Sequence, residues 1–158
     1  MQNGGSGMAD EVFTRSMFFF GTLMDADILA TVLGRVPAAS DREVAFVRGW
    51  RRVFVAGRPY PMLIPQAGGR VEGLLVGGLG DRDCGRLAFY EGWEYVTAPV
   101  SVRTLSGRSV ETEMFTCPVG ILSESRDWRL DLWQRKHKSI ALTAAAETMA
   151  RFARVSGG

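Results

Sequence analysis

Two short segments carry residue types that could do chemistry together: the turn Phe20-Gly21-Thr22-Leu23 and the carboxylate of Glu91. A strand that ends in Gly-Thr and feeds a helix exposes backbone N–H groups at the helix start. Those donors, with the helix dipole, favour an anion or a developing oxyanion. Gly21 has no side chain, so the backbone there can approach a ligand closely. Taken alone, the turn is also an ordinary strand-to-helix connection. Glu91 adds a second half. If 81–91 is helical, Cys84, Leu87, Ala88 and Glu91 fall at i, i+3, i+4 and i+7, a stripe that should face the core and carry the carboxylate inward. Phe89, Tyr90 and Trp93 supply aromatic surface in sequence, and the last turn of a helix disfavours an anion. Desolvation of this kind raises a carboxyl pKa towards neutrality, which suits a general acid or base. The other arrangement has Glu91 turned to solvent or paired with Arg86 or Arg103. The helical wheel does not choose between them.

Other chemistries are poorly supplied. The single histidine, His137, lies in the basic run Arg135-Lys136-His137-Lys138, the pattern of a solvated helix face. Cys84 and Cys117 are 33 positions apart, which gives no zinc spacing and no disulfide framework. No metal or cofactor is expected. Neither a P-loop nor a dinucleotide-binding fingerprint occurs, and Gly73, Gly77, Gly78 and Gly80 read as strand-bulge and turn glycines. Trp128 and Trp133 read as packing. A net charge of +2, with no basic tract beyond that short run, gives little support to nucleic-acid binding. Apolar runs stop well short of the roughly 20 residues of a membrane span, so no membrane partner is expected. The Gly-rich start lacks the plan of a signal peptide, and the sparse cysteines point to a reducing, cytoplasmic compartment.

These residues need elements to position them. With 158 residues, 46% of them hydrophobic and 23% charged, the chain has the make-up of one folded domain. Residues 1–14 read as a flexible leader or tag, with Met8 as a natural start. Residues 17–20 form a short buried strand. Asp25 is a helix cap, Ile28, Leu29, Val32 and Leu33 share a face, and Gly34 stops the helix. Between 44 and 79 the signals are mostly β, with 53–55 and 71–79 as strands, Gly68-Gly69 as the turn between strands, and 57–67 irregular. Residues 32–41 are a second loop. A hairpin is expected around Ser106-Gly107-Arg108. From 123 to 155 the period becomes helical, with Trp128, Leu132, Leu142, Ala145, Met149 and Phe152 at three- and four-residue steps and a break at 137–139. The fold class is α+β, a small mixed β-barrel with flanking helices: a core domain over 15–122 and a helical extension over 123–158 packed on it.

The ordered motifs resemble one family. Phe19-Phe20-Gly21-Thr22-Leu23 resembles the Y-G-T-L signature of the gamma-glutamylcyclotransferase-like family. Tyr60-Pro61-Met62-Leu63 with Pro65 resembles its Y-P-x-L segment, Val71-Glu72-Gly73 the following V-x-G strand, and Phe89-Tyr90-Glu91-Gly92 with Tyr95 its Y-E-G-x-x-Y element. Asp127-Trp128 and Trp133 resemble the C-terminal extension of some bacterial members. The resemblance implies a small β-barrel with a cavity between the Gly-Thr-Leu turn and the glutamate. It also implies a cofactor-free cyclisation of a small-molecule gamma-glutamyl substrate to 5-oxoproline, releasing an amine or amino acid. Glu91 would then be the acid/base, Phe20, Gly21, Thr22 and Leu23 the substrate-binding turn, and Tyr60 and Tyr95 pocket walls. Two departures matter: Phe20 replaces the motif tyrosine, and Gly-Thr-Leu stands where the glutathione-specific branch has Gly-Ser-Leu, which makes glutathione the less expected substrate. Two other readings remain: a binding module that uses the same cavity without turnover, and an interaction domain built on the basic, Trp-bearing tail.

Overall fold

The computed structural model of the chain describes residues 14–92 and 95–156, so most of the leader and Trp93 lie outside the described residues. The first strand, β1 (Arg15–Phe19), buries both faces: Met17 and Phe19 enter one core and Phe18 another. An extended chain imposes this, since successive side chains take opposite sides. A 3-10 turn at Thr22–Met24 leads into α1 (Ala26–Leu33). As the sequence predicts, Asp25 caps α1, accepting from the Asp27 and Ile28 amides at 3.0 Å each, and Gly34 ends it at φ +74°. Ile28, Leu29, Val32 and Leu33 are all buried.

The next two strands, β2 (Arg42–Val55) and β3 (Pro61–Leu79), form a long antiparallel hairpin running from Arg42↔Val76 to Phe54↔Pro61. Here two expectations are corrected. The turn is not at Gly68-Gly69 but at 56–60, where Val55 donates to the Tyr60 carbonyl and Arg58 to that of Val55. Most of the expected loop over 57–67 is therefore strand. Gly68-Gly69 is a bulge: the pairing passes from Arg48↔Arg70 to Trp50↔Pro65, so 66–69 face Gly49 alone. A side chain at Gly69 would meet the Trp50 carbonyl at 2.4 Å, so the residue is glycine for close approach rather than chain reversal.

Helix α2 (Asp81–Glu91) has the predicted bounds, closed by Gly92 at φ +99°. Its buried stripe is rotated from the one expected. Asp83, Arg86 and Leu87 are buried, whereas Ala88 is exposed and Glu91 lies at the stripe's border. The cause is Arg86. Its Nε donates to the Val32 carbonyl at 2.6 Å and Nη2 to that of Thr31 at 3.4 Å, so a charged side chain is drawn under the C-terminal end of α1. A hairpin of β4 (Val96–Thr104) and β5 (Ser109–Thr116) follows, around the predicted turn.

The tail opens as a strand rather than a helix. β6 (Ser123–Asp127) pairs with β2 at Val53↔Asp127 and Val55↔Ser123, and only then come α3 (Leu130–Lys136) and α4 (Lys138–Val155), joined at His137. Trp128, Trp133, Ala145 and Met149 join Leu87, Ile28 and Val76 in the core between the helices and the sheet. The sheet order is β1-β3-β2-β4-β5 with β6 on β2, and every pairing is antiparallel. The expected mixed barrel is thus corrected to an antiparallel sheet that does not close. β2 shares one edge between two partners, keeping β4 only at Ala45 and Phe46 and β6 only at Val53 and Val55. β1 and β5 do approach, with Ser16 Oγ and Thr112 Oγ1 2.6 Å apart, but no backbone ladder joins them.

Candidate active site

Phe20, Gly21, Thr22, Leu23, Tyr60, Glu91 and Tyr95 all line one cavity of about 350 Å³. They arrive from four separate segments: the stretch after β1, the 56–60 turn, the end of α2 and the chain just before β4. The end of β1 delivers Phe20 and Gly21, and Arg52 on β2 holds it there. Arg52 Nη1 donates to the Phe20 carbonyl at 3.0 Å and to the Glu72 carbonyl at 2.9 Å, and Nε to that of Trp128 at 3.2 Å, with the guanidinium 5.4 Å from the Trp128 ring centre. Gly73 lets β1 sit this close, since a side chain there would meet the Phe18 ring at 2.4 Å and the Phe19 carbonyl at 2.5 Å. Past Phe20, the 3-10 turn bonds Met24 N–H to the Gly21 carbonyl and Asp25 N–H to that of Thr22. The amides of Gly21, Thr22 and Leu23 donate to no acceptor among the described residues, and all three residues line the cavity. Free donors are expected in the first turn of a helix.

Glu91 comes from the last turn of α2. Burial pushes its carboxyl from 4.5 up to about 7, and among the described residues no cation pairs with it. Arg86 is committed to α1, and Arg103 donates to the Gly107 carbonyl, so neither alternative partner reaches it. Burial also pushes the Tyr90 hydroxyl up, with the Glu91 charge adding to it and the Thr22 side chain opposing. The Tyr95 hydroxyl and Cys117 thiol, which face each other, are likewise raised by burial first, with the Glu91 charge acting in the same direction. Glu91 is the one charged side chain among the described residues lining the cavity. The cavity thus combines a carboxyl raised by burial to about 7 with a turn whose backbone amides have no acceptor among the described residues.

Several wall residues were not among the site candidates read from the sequence. Pro61 arrives at the start of β3, Phe115 and Cys117 at the end of β5 and just after it, and Trp133 and Ala141 with the tail. Trp133, read as packing, does pack, with its ring 6.4 Å from that of Trp128, yet it also faces the cavity. Arg52 was equally invisible, because its partners are carbonyls on distant segments. Among the described residues no group of His, Cys, Asp and Glu is gathered as a metal site, and no helix is long and apolar enough to cross a membrane.

A family model described as "Gamma-glutamyl cyclotransferase, AIG2-like" matches residues 17–130. The chain belongs to this family. AIG2-like protein B of Arabidopsis thaliana is 27% identical over 146 residues, covering 90% of this chain and 83% of that protein. Among solved structures, the solution structure of an Arabidopsis thaliana protein superposes with a TM-score of 0.63 at 20% identity, over 93% of this chain and 88% of that one. A gamma-glutamyl cyclotransferase superposes with a TM-score of 0.60 at 15% identity, over 70% of each chain. At these identities the two structures share the fold. In this AIG2-like member, the matched span holds every cavity residue named above except Trp133 and Ala141.

Proposed function

We propose that this protein is a gamma-glutamyl cyclotransferase-type enzyme that converts a gamma-glutamyl amide to 5-oxoproline and a free amine, with Glu91 as acid and base. One observation carries the reading: a carboxyl at about 7 shares a cavity with the unpaired Gly21, Thr22 and Leu23 amides. The family match supports the reaction class and a small-molecule gamma-glutamyl substrate. The amides hold the substrate α-carboxylate, or the oxyanion that forms on the side-chain carbonyl. Ionised Glu91 takes a proton from the substrate's α-ammonium, and the freed nitrogen attacks the side-chain carbonyl carbon. A C–N bond forms, closing the five-membered lactam. The bond from that carbon to the leaving nitrogen then breaks as Glu91-H returns the proton to it, and the ring nitrogen sheds its second proton through the re-ionised carboxylate to the departing amine, which leaves as an ammonium. No water is consumed and the nucleophile is the substrate's own, so a site without histidine or a reactive thiol suffices. Tyr60, Tyr95 and Phe20 shape the walls and exclude water.

The test is 5-oxoproline release from a panel of gamma-glutamyl compounds by the parent protein and Glu91→Gln. The variant should keep the fold and lose at least about 100-fold in kcat/KM, the scale of a positioned acid/base. Retained turnover would remove Glu91 from the mechanism. Thermal stabilisation by gamma-glutamyl compounds without any product would instead mark a binding module.

A further inference from the structure

A second recess of about 280 Å³ adjoins the reaction cavity, and Phe20, Phe115 and Cys117 belong to the walls of both. Its other walls include Trp50, Met62, Leu63, Met114 and Ile121. It lies where the sheet splits: Trp50 stands on the stretch of β2 between its short pairing with β4 and its short pairing with β6. The cyclisation needs none of this space.

The chemistry of the walls restricts what the recess accepts. No Lys, Arg, His, Asp or Glu lines it, so across both spaces Glu91 is the single charged side chain among the described lining residues. A leaving amino acid or peptide brings its own carboxylate, and burying that anion without a cation is strongly disfavoured. The free amides of the Gly21 turn are already committed to the glutamyl end. Phe20 stands at the shared wall where the resembling motif has tyrosine, so that position brings no hydroxyl, and the Thr116 hydroxyl of the recess wall is taken up by the Val96 carbonyl. A dry cavity of roughly 150 Å³ accepts a benzene ring, so the recess has room for an aromatic or branched group.

We propose that this recess is the leaving-amine subsite, and that the substrates are gamma-glutamyl amides of uncharged, apolar amines rather than gamma-glutamyl amino acids or peptides. The inference rests on the cyclotransferase reading, and matched substrates separate the two. Gamma-glutamyl-isoamylamide and gamma-glutamyl-leucine differ only in the leaving group's carboxylate, as do gamma-glutamyl-phenethylamide and gamma-glutamyl-phenylalanine. The amine member of each pair should show about tenfold or more higher kcat/KM for 5-oxoproline release. Ile121→Arg, on an exposed loop, places a cation at the recess and should shift that ratio towards the amino-acid member. Equal turnover within the pairs, or a ratio that Ile121→Arg leaves unchanged, overturns the subsite while the cyclotransferase reading stands. If none of the four releases 5-oxoproline, the catalytic reading fails, and thermal stabilisation of Glu91→Gln by the same four compounds decides the subsite. Larger shifts from the amine members support it; equal or absent shifts overturn it.

Discussion

Glu91 works against the stability of the fold it serves. Its carboxyl is held at about 7 by burial, against 4.5 in the open chain. Between those values the folded protein keeps a proton that the unfolded chain has released. Stability from this residue is therefore full below 4.5 and is lost as pH rises through about 7. Glu91→Gln should melt higher than the parent above neutrality and no higher in acid; thermal melts across that range check it. Under the proposed mechanism the same ionisation governs turnover. A base must be deprotonated to act, so kcat/KM should rise with pH through about 7, and a rising limb near 4.5 would mean that Glu91 is solvated. Helical spacing and the Phe89-Tyr90-Glu91-Gly92 motif both pointed to this residue, the spacing through a stripe whose true axis is Asp83, Arg86 and Leu87. Periodicity placed the glutamate near the core but not the rotation, because the hydrogen bonds of Arg86 to α1 join segments more than 50 positions apart.

At the scale of elements, two glycines separate packing from propensity. Gly73→Ala must displace the buried Phe18 ring and the Phe19 backbone, at a cost of about 1–3 kcal/mol, and it moves the Phe20-Gly21 turn with β1. Gly85, inside α2, has nothing within 4 Å of the position a Cβ would take. Gly85→Ala should stabilise by roughly 0.5–1 kcal/mol and leave turnover unchanged. Urea unfolding and 5-oxoproline assays on both variants test the contrast. Elements whose signals are local were legible in the sequence: α1 between Asp25 and Gly34, α2 up to Gly92, and the turn at 106–108. Gly68-Gly69 misled because a bulge and a turn need the same residue. β6 was hidden because Ser-Glu-Ser-Arg-Asp has no apolar alternation; it is a strand only because β2 offers it an edge.

Across the whole molecule, the tail is built into the site. Trp133 and Ala141 complete the cavity wall, and Asp25 anchors the helices that carry them. Its carboxylate caps α1 and also accepts from Gln134 Nε2 at 2.8 Å and lies 3.0 Å from Lys138 Nζ. Burial pushes this carboxyl up, but the bonds from Gln134, Ile28 and Lys138 together hold it below its ordinary value. Asp25→Ala should cost roughly 1–3 kcal/mol and reduce kcat/KM as the tail loosens, measured by urea unfolding and turnover. The cap was legible in sequence, but the two bonds to the tail were not, because their partners stand 109 and 113 positions away. Arg52 binds the molecule together in a similar way, with one difference. Its acceptors on β1, β3 and the tail are main-chain carbonyls, present whatever side chains stand at 20, 72 and 128. As a target for mutation the clamp is therefore lopsided: the three sites it joins can vary in side chain and still be joined, while a single codon, that of Arg52, can undo all three at once.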